Sequence, residues 1–245
     1  MNNRHFAFAF ALLCGLSGPA SAGEPRAVIE LFTSQGCSSC PPADRLVGEF
    51  ARDSSMLALT LPVDYWDYLG WKDTLALHGH TNRQRAYAGA RGDREVYTPQ
   101  VVVNGMVHAL GSDKAAIGKA IAQTRRGASP LTVPVTMVVS DGKVTVNVPA
   151  ANDQHGGEVW LCPFASKVQV TIDRGENRGK TFTYYNVVRR WVKLGDWSGK
   201  AESFSMPVAD VSNGESDVDH VAVVVQSGVA AKPGMMLGAA TASLR

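Results

Sequence analysis

Cysteine is scarce in this chain, with four among 245 residues, at Cys14, Cys37, Cys40 and Cys162. A disulfide-stapled scaffold shows an even, dispersed set, so a few cysteines with two of them in a C-x-x-C point to chemistry rather than stapling. An excess of one charge is also missing. A formal net charge of +2, from 24 Lys+Arg against 22 Asp+Glu, leaves no basic field for a phosphate backbone. No Lys/Arg cluster alternates with stacking aromatics either, so nucleic acid is not expected as a partner. No apolar run is long enough to cross a hydrocarbon core of ~30 Å as a helix, and no internal repeat is found. A 45% hydrophobic, 19% charged composition argues against disorder and supplies a core for one or two domains.

The apolar run at 6–16 instead reads as the middle of a secretory signal. Arg4 and His5 precede it, and Ala20-Ser21-Ala22 follows as a small-residue cleavage pattern. The mature chain is therefore expected to start at Gly23, in the periplasm or secreted, with no membrane span after cleavage. An uncleaved anchor is the alternative. Cys14 is a poor lipoprotein cysteine, because Leu13 before it is larger than the small residue such processing prefers. The remaining Cys37, Cys40 and Cys162 face an oxidising compartment, where adjacent thiols tend to exist as disulfides unless something reduces them.

Residues 27–33 form a β-branched and aromatic run of strand type, closed by the turn residues Ser34-Gln35-Gly36. A helix is expected next. Pro41 and Pro42 fall in its first turn, where helical N–H groups have no internal partner, and Ala43, Leu46, Val47 and Phe50 make its apolar stripe. Cys37 then sits just before the helix and Cys40 in its first turn. A second buried strand follows at 56–63, then a polar, centrally helical insert at 71–90 carrying His78, His80, Arg83, Arg85 and Tyr87. Asn104-Gly105 is the strongest two-residue hairpin signal, joining strands at 99–103 and 106–110. Ser112 can cap a helix with the stripe Ile117, Ala120, Ile121 and Thr124. After the composition break Gly127-Ala128-Ser129-Pro130, alternating valines around an Asp141-Gly142 turn open a series of strand-like segments. Residues 131–245 therefore read as a mostly β, sandwich-like domain, with the Ala-Gly-Met-rich stretch after Val229 only loosely ordered.

The chemistry lies in the C-x-x-C. Thiolate is the reactive form of cysteine, and the partial positive charge at a helix N-terminus lowers the thiol pKa from ~8.5 to ~3.5–7.5 in such sites. Cys37 is the expected nucleophile. Cys40, three residues on, can resolve the mixed disulfide that forms at Cys37.

Tyr97-Thr98-Pro99 precedes a strand, and with the C-x-x-C it resembles the thioredoxin superfamily, in which a cis-proline lies against the cysteines and the residue before it pairs with substrate chain. That resemblance implies a cis Thr98–Pro99 bond beside Cys37 and a substrate-binding role for Thr98 and Pro99. It also implies an α/β thioredoxin-like domain at 23–127, after a signal peptide at 1–22 and before the β domain at 131–245. Thr98 is similar to the residue that periplasmic disulfide isomerases carry there, whereas Ser38-Ser39 matches no well-known oxidoreductase class, so the direction of electron flow stays open. Glu30, on the strand leading to Cys37, stands about where thioredoxins hold a buried acid that takes a proton from the resolving cysteine. A hydrogen-bonded structural carboxylate is the alternative. More closely, the segment 29–44 with Val63-Asp64-Tyr65-Trp66-Asp67, Tyr97-Thr98-Pro99-Gln100, Arg174-Gly175-Glu176-Asn177 and Asn186-Val187-Val188 is similar to a secreted bacterial family named domain of unknown function 1223.

Two functions follow. One is a thiol-disulfide oxidoreductase with Cys37, Cys40 and Glu30 as its catalytic residues and protein thiols, disulfides or a redox partner protein as its partners. It needs no cofactor. The other is a non-catalytic binding or interaction module in which the C-x-x-C is a structural or sensing disulfide. A sulfur of Cys37 open to solvent goes with the first, and a buried Cys37 or a rim closed by the insert goes with the second. A metal site is a lesser alternative, since structural zinc wants four ligands and no second C-x-x-C exists; it would need His78, His80 or Cys162. Cys162, inside an apolar run, reads as a small buried hydrophobe.

Overall fold

A computed structural model describes residues 24–126, 130–151 and 156–244. The expected signal, Cys14, its cleavage site and most of the expected linker lie outside the described residues. Strand β1 (Ala27–Thr33) runs parallel to β2 (Met56–Pro62), with α1 (Pro41–Phe50) between them. A short 3-10 turn at Asp67–Leu69 and α2 (His78–Arg91) lead to β3 (Gln100–Val103), which pairs antiparallel with β1, then to β4 (Val107–Leu110) and α3 (Lys114–Thr124).

All seven residues of β1 are buried because both of its faces are covered. Side chains alternate along a strand. Ala27, Ile29 and Leu31 therefore pack with Ala43, Leu46 and Val47 of α1, while Val28 and Phe32 pack with Tyr87 of α2. The hairpin turn has positive φ at Asn104 and Gly105, as a type I′ turn requires. Asn104 is also buried, accepting from the Val28 amide at 2.8 Å and donating to Thr124 Oγ1 at 2.9 Å. Helix α3 is capped by Asp113, whose side chain accepts from the Ala116 amide at 2.9 Å, rather than by Ser112, which stands one residue too early for that reach.

The second half supplies β5 (Thr136–Ser140), β6 (Lys143–Val148), β7 (Gly157–Thr171), β8 (Thr181–Val188), β9 (Val192–Trp197), β10 (Glu202–Pro207), α4 (Val208–Ser212), β11 (His220–Val229) and β12 (Lys232–Ser243). Here the expected architecture fails. The protein is mostly β, and in place of an α/β thioredoxin-like domain followed by a separate β domain, one mixed nine-stranded sheet carries both halves. Its order is β12-β11-β7-β8-β2-β1-β3-β4, with β9 also paired to β7. The halves join at β2 and β8 through the parallel pair Thr60 and Val187. Thr60 Oγ1 donates to the Tyr185 carbonyl at 2.6 Å there, and Asn186 Nδ2 donates to that of Ala58 at 2.8 Å. A continuous core crosses the junction, including Phe32, Leu59, Tyr87, Cys162, Val224 and Met236. An apolar run shows that a strand is buried but not which segment covers its free edge, and β8 covers that of β2.

A three-stranded sheet, β10-β6-β5, packs on the other face of the second half, burying Val144, Val146 and Val148 against Leu161, Val223 and Trp197. The stretch after Val229 is not loose. It forms β12, with Met236, Leu237, Ala239 and Ala240 buried, and its small residues admit α2 alongside.

Candidate functional site: the Cys37–Cys40 pair

After β1 the chain turns twice before the helix. The Cys37 amide donates to the Ser34 carbonyl at 3.1 Å and the Cys40 amide to the Cys37 carbonyl at 3.2 Å. The Cys40 carbonyl then accepts from both Ala43 and Asp44, so Cys40 is the N-cap of α1, one residue ahead of the expected first turn. Pro41 and Pro42 fill the first two helical positions, which have no use for an N–H. Cys37 and Cys40 are joined as a disulfide with a Cα–Cα distance of 5.4 Å.

Neither sulfur is open to solvent: Cys37 is 1% and Cys40 0% exposed, while Ser38 and Ser39 between them are exposed. Three segments make the collar. Gly36 lies against Trp66, so that a Cβ there would stand 3.1 Å from Trp66 Cβ. Gln35 is buried, with its amide donating to Asp73 Oδ2 at 2.8 Å and its side-chain carbonyl accepting from Trp71 Nε1 at 2.8 Å. Asn177, from the turn between β7 and β8, donates through Nδ2 to the Gln35 and Cys37 carbonyls, both at 3.0 Å. Gly175 and Gly179 hold that turn with positive φ.

The Thr98–Pro99 peptide bond is cis. Thr98 Oγ1 accepts from Trp66 Nε1 at 2.8 Å, tying this loop to the collar. Pro99 lies beside the first turn of α1, since a Cβ built on Gly111 would meet both Pro99 Cβ at 3.1 Å and Ala43 Cβ at 3.2 Å.

Glu30 is not brought to the pair. It shares a face of β1 with Val28 and Phe32, and there its carboxylate accepts from Arg83 Nε and from the Tyr87 hydroxyl, each at 2.6 Å. The buried acid on the α1 side is Asp44, one helical turn after Cys40. Thr33 Oγ1 donates to its Oδ1 at 2.7 Å, and Oδ2 has no partner. Burial, only partly offset by that bond and reinforced by the nearby Asp73, pushes the Asp44 carboxyl up to about 7. Burial likewise raises Asp73 to about 6.

The insert residues disperse. His78 pairs with Asp64 at 2.8 Å, His80 in the first turn of α2 is fully buried, Arg83 is held by Glu30, and Arg85 is exposed. Cys162 is buried in β7, and burial raises its thiol well above the usual value. Among the described residues no group of three or more His, Cys, Asp or Glu is arranged to hold a metal ion. No helix of these residues is long and apolar enough to cross a membrane. Asn177 ends the Arg174-Gly175-Glu176-Asn177 motif, but nothing in its local sequence signals contact with Cys37.

Residues 28–226 match the family described as "Protein of unknown function (DUF1223)". A crystal structure of a protein from Agrobacterium tumefaciens is 31% identical over 91% of this chain and 96% of its own, with a TM-score of 0.80. The structure of HBP35 of Porphyromonas gingivalis is 13% identical over 91% of this chain and 76% of its own, with a TM-score of 0.54, a likeness of fold alone. No curated protein matches.

Proposed function

Because the chain belongs to DUF1223, a family described as proteins of unknown function, its activity has to be read from its own geometry, and we propose that it performs thiol–disulfide exchange through Cys37–Cys40 with protein partners in the periplasm or outside the cell. The observation that carries this reading is the position of the disulfide, across a three-residue separation at the N-terminal end of α1. So short a loop removes little unfolded-state entropy, on the order of 2 kcal/mol, so stapling is a poor reason to keep the pair. In the reducing direction the Cys37 thiolate attacks a substrate disulfide, giving a mixed disulfide and releasing one substrate thiol. Cys40 then attacks Cys37, releasing the second substrate thiol and re-forming the Cys37–Cys40 bond, so the substrate gains the two electrons that the pair loses. In this reading Asp44, one helical turn after Cys40 and with its carboxyl pushed up to about 7, takes the proton from Cys40. Thr98 and Pro99 offer the edge against which a substrate chain rests, and entry requires the collar to open at Asn177.

Two observations favour a second reading. The burial of Cys37 and the contacts of Trp71 and Asp73 of the insert with Gln35 beside it fit a binding module in which the disulfide is structural or sensing. Cys40→Ser retains the nucleophile without its resolving partner, so covalent complexes are expected to accumulate on non-reducing gels of cells expressing it, and Cys37→Ser is expected to trap none. Absence of complexes with both variants, together with a reduction potential below about −300 mV, would decide for the second reading.

A further inference from the structure

Helix α1 starts without a side-chain cap. Cys40 stands at the N-cap and makes no such bond, although serine is among the residues that cap best and Ser38 and Ser39 come just before it. Both serines are exposed between two buried cysteines. Ser39 turns its hydroxyl to sulfur instead, with Oγ 3.4 Å from Cys37 Sγ. A disulfide sulfur carries no proton, so Ser39 is the donor. The amides of Cys37 and Cys40 are spent on the Ser34 and Cys37 carbonyls, so neither serves that sulfur.

A neutral sulfur is a weak acceptor, whereas a thiolate in the same place is a strong one, because hydrogen bonds to ionised groups are roughly twice as strong as neutral ones. The Ser39 bond therefore gains strength when the disulfide opens and Cys37 takes the negative charge. We infer that Ser39 is the thiolate-stabilising residue of the pair, holding Cys37 as the charged nucleophile and biasing the pair toward its reduced form, and so toward giving its disulfide to a partner dithiol. In that direction the partner dithiol loses two electrons and two protons and closes its own disulfide. The pair takes both electrons, one proton stays on Cys40 as its thiol, the Cys37 thiolate accepts from Ser39, and the other proton goes to solvent. This role rests on the exchange reading and gives it a direction.

Alkylation of Cys37 by iodoacetamide in the reduced Cys40→Ser protein, followed at that residue by mass spectrometry across the range from acid to alkaline pH, reads the thiolate directly. Adding Ser39→Ala is expected to slow it several-fold at the acid end and not at the alkaline end, where the sulfur is charged with or without the hydroxyl. A change of access alone would slow both ends alike. In the chain with both cysteines, Ser39→Ala is expected to move the equilibrium with a glutathione buffer several-fold toward the disulfide. Ser39→Thr keeps the hydroxyl and should match the parent in both measurements. Ser38→Ala removes the neighbouring exposed serine and should match it too. The charged groups about the pair, Asp44 from α1, Asp73 from the insert and Lys180 on Asn177, are common to all variants. Neither measurement needs a partner protein, so the exchange reading can fail by trapping no complex while this result stands. The role of Ser39 is overturned by a Ser39→Ala profile and equilibrium like those of the parent, by equal slowing at every pH, by the same effect from Ser38→Ala, or by a Ser39→Thr that behaves as Ser39→Ala.

Discussion

Two buried carboxyls flank the same strand and are provided for differently. Glu30 faces α2 and meets a guanidinium, a phenol and, through them, Gln226. Asp44 sits on the α1 side with one hydroxyl partner and an orphaned oxygen. Glu30 is buried against a cation, whereas Asp44 is buried without one, and its carboxyl is pushed up to about 7. The difference separates an element that fixes the fold from a carboxyl that titrates near neutrality, one helical turn after Cys40.

The largest effect is expected from breaking the first arrangement. Arg83→Ala leaves the buried Glu30 carboxyl without its cation and should cost about 3–5 kcal/mol in urea unfolding. Adding Glu30→Gln should recover much of the loss. A loss below 1 kcal/mol would mean that the two carboxyls are not so different after all.

Next comes the pH dependence of Asp44. Its folded carboxyl titrates at about 7 against an ordinary 3.8, so between those values the folded state holds a proton that the unfolded chain has released. Stability must therefore fall as pH rises from 4 through 7, by on the order of 3–4 kcal/mol. Asp73, raised to about 6, adds a slope of the same sign. Asp44→Asn should flatten the profile measured between pH 4 and pH 8, leaving the part due to Asp73. An unchanged slope would remove Asp44 as the titrating group.

The smallest effect concerns the collar. Asn177→Ala deletes the two hydrogen bonds to the Gln35 and Cys37 carbonyls and the one accepted from Lys180, and should cost about 1–2 kcal/mol, while speeding reduction of Cys37–Cys40 by dithiothreitol several-fold. An unchanged rate would show that the sulfur is reached without moving that turn.

What the sequence made legible was local. The run at 27–33, Pro41-Pro42 and Asn104-Gly105 each encode their structure within a few residues, so β1, α1 and the hairpin follow directly. Pairing across distance is not encoded that way. The contact of Asn177 with Cys37 spans 140 residues, and the junction of β2 with β8 depends on which segment reaches a free edge. Glu30 illustrates a subtler limit. Alternation puts it with Val28 and Phe32, but deciding which face carries α1 requires knowing how the helix packs. The segment after Val229 misled for a different reason, since alanine and glycine give a weak apolar signal even where they are buried.

Met236 and Ala239 share a core with Val28 and Phe32. Translation adds ~5–20 residues per second, so a newly made β1 waits on the order of ten seconds or more for the strand that covers its neighbourhood. During that interval Phe32, Leu59 and Tyr87 have no finished interior to enter. The core that β1 joins is therefore completed only once β12 has been synthesised.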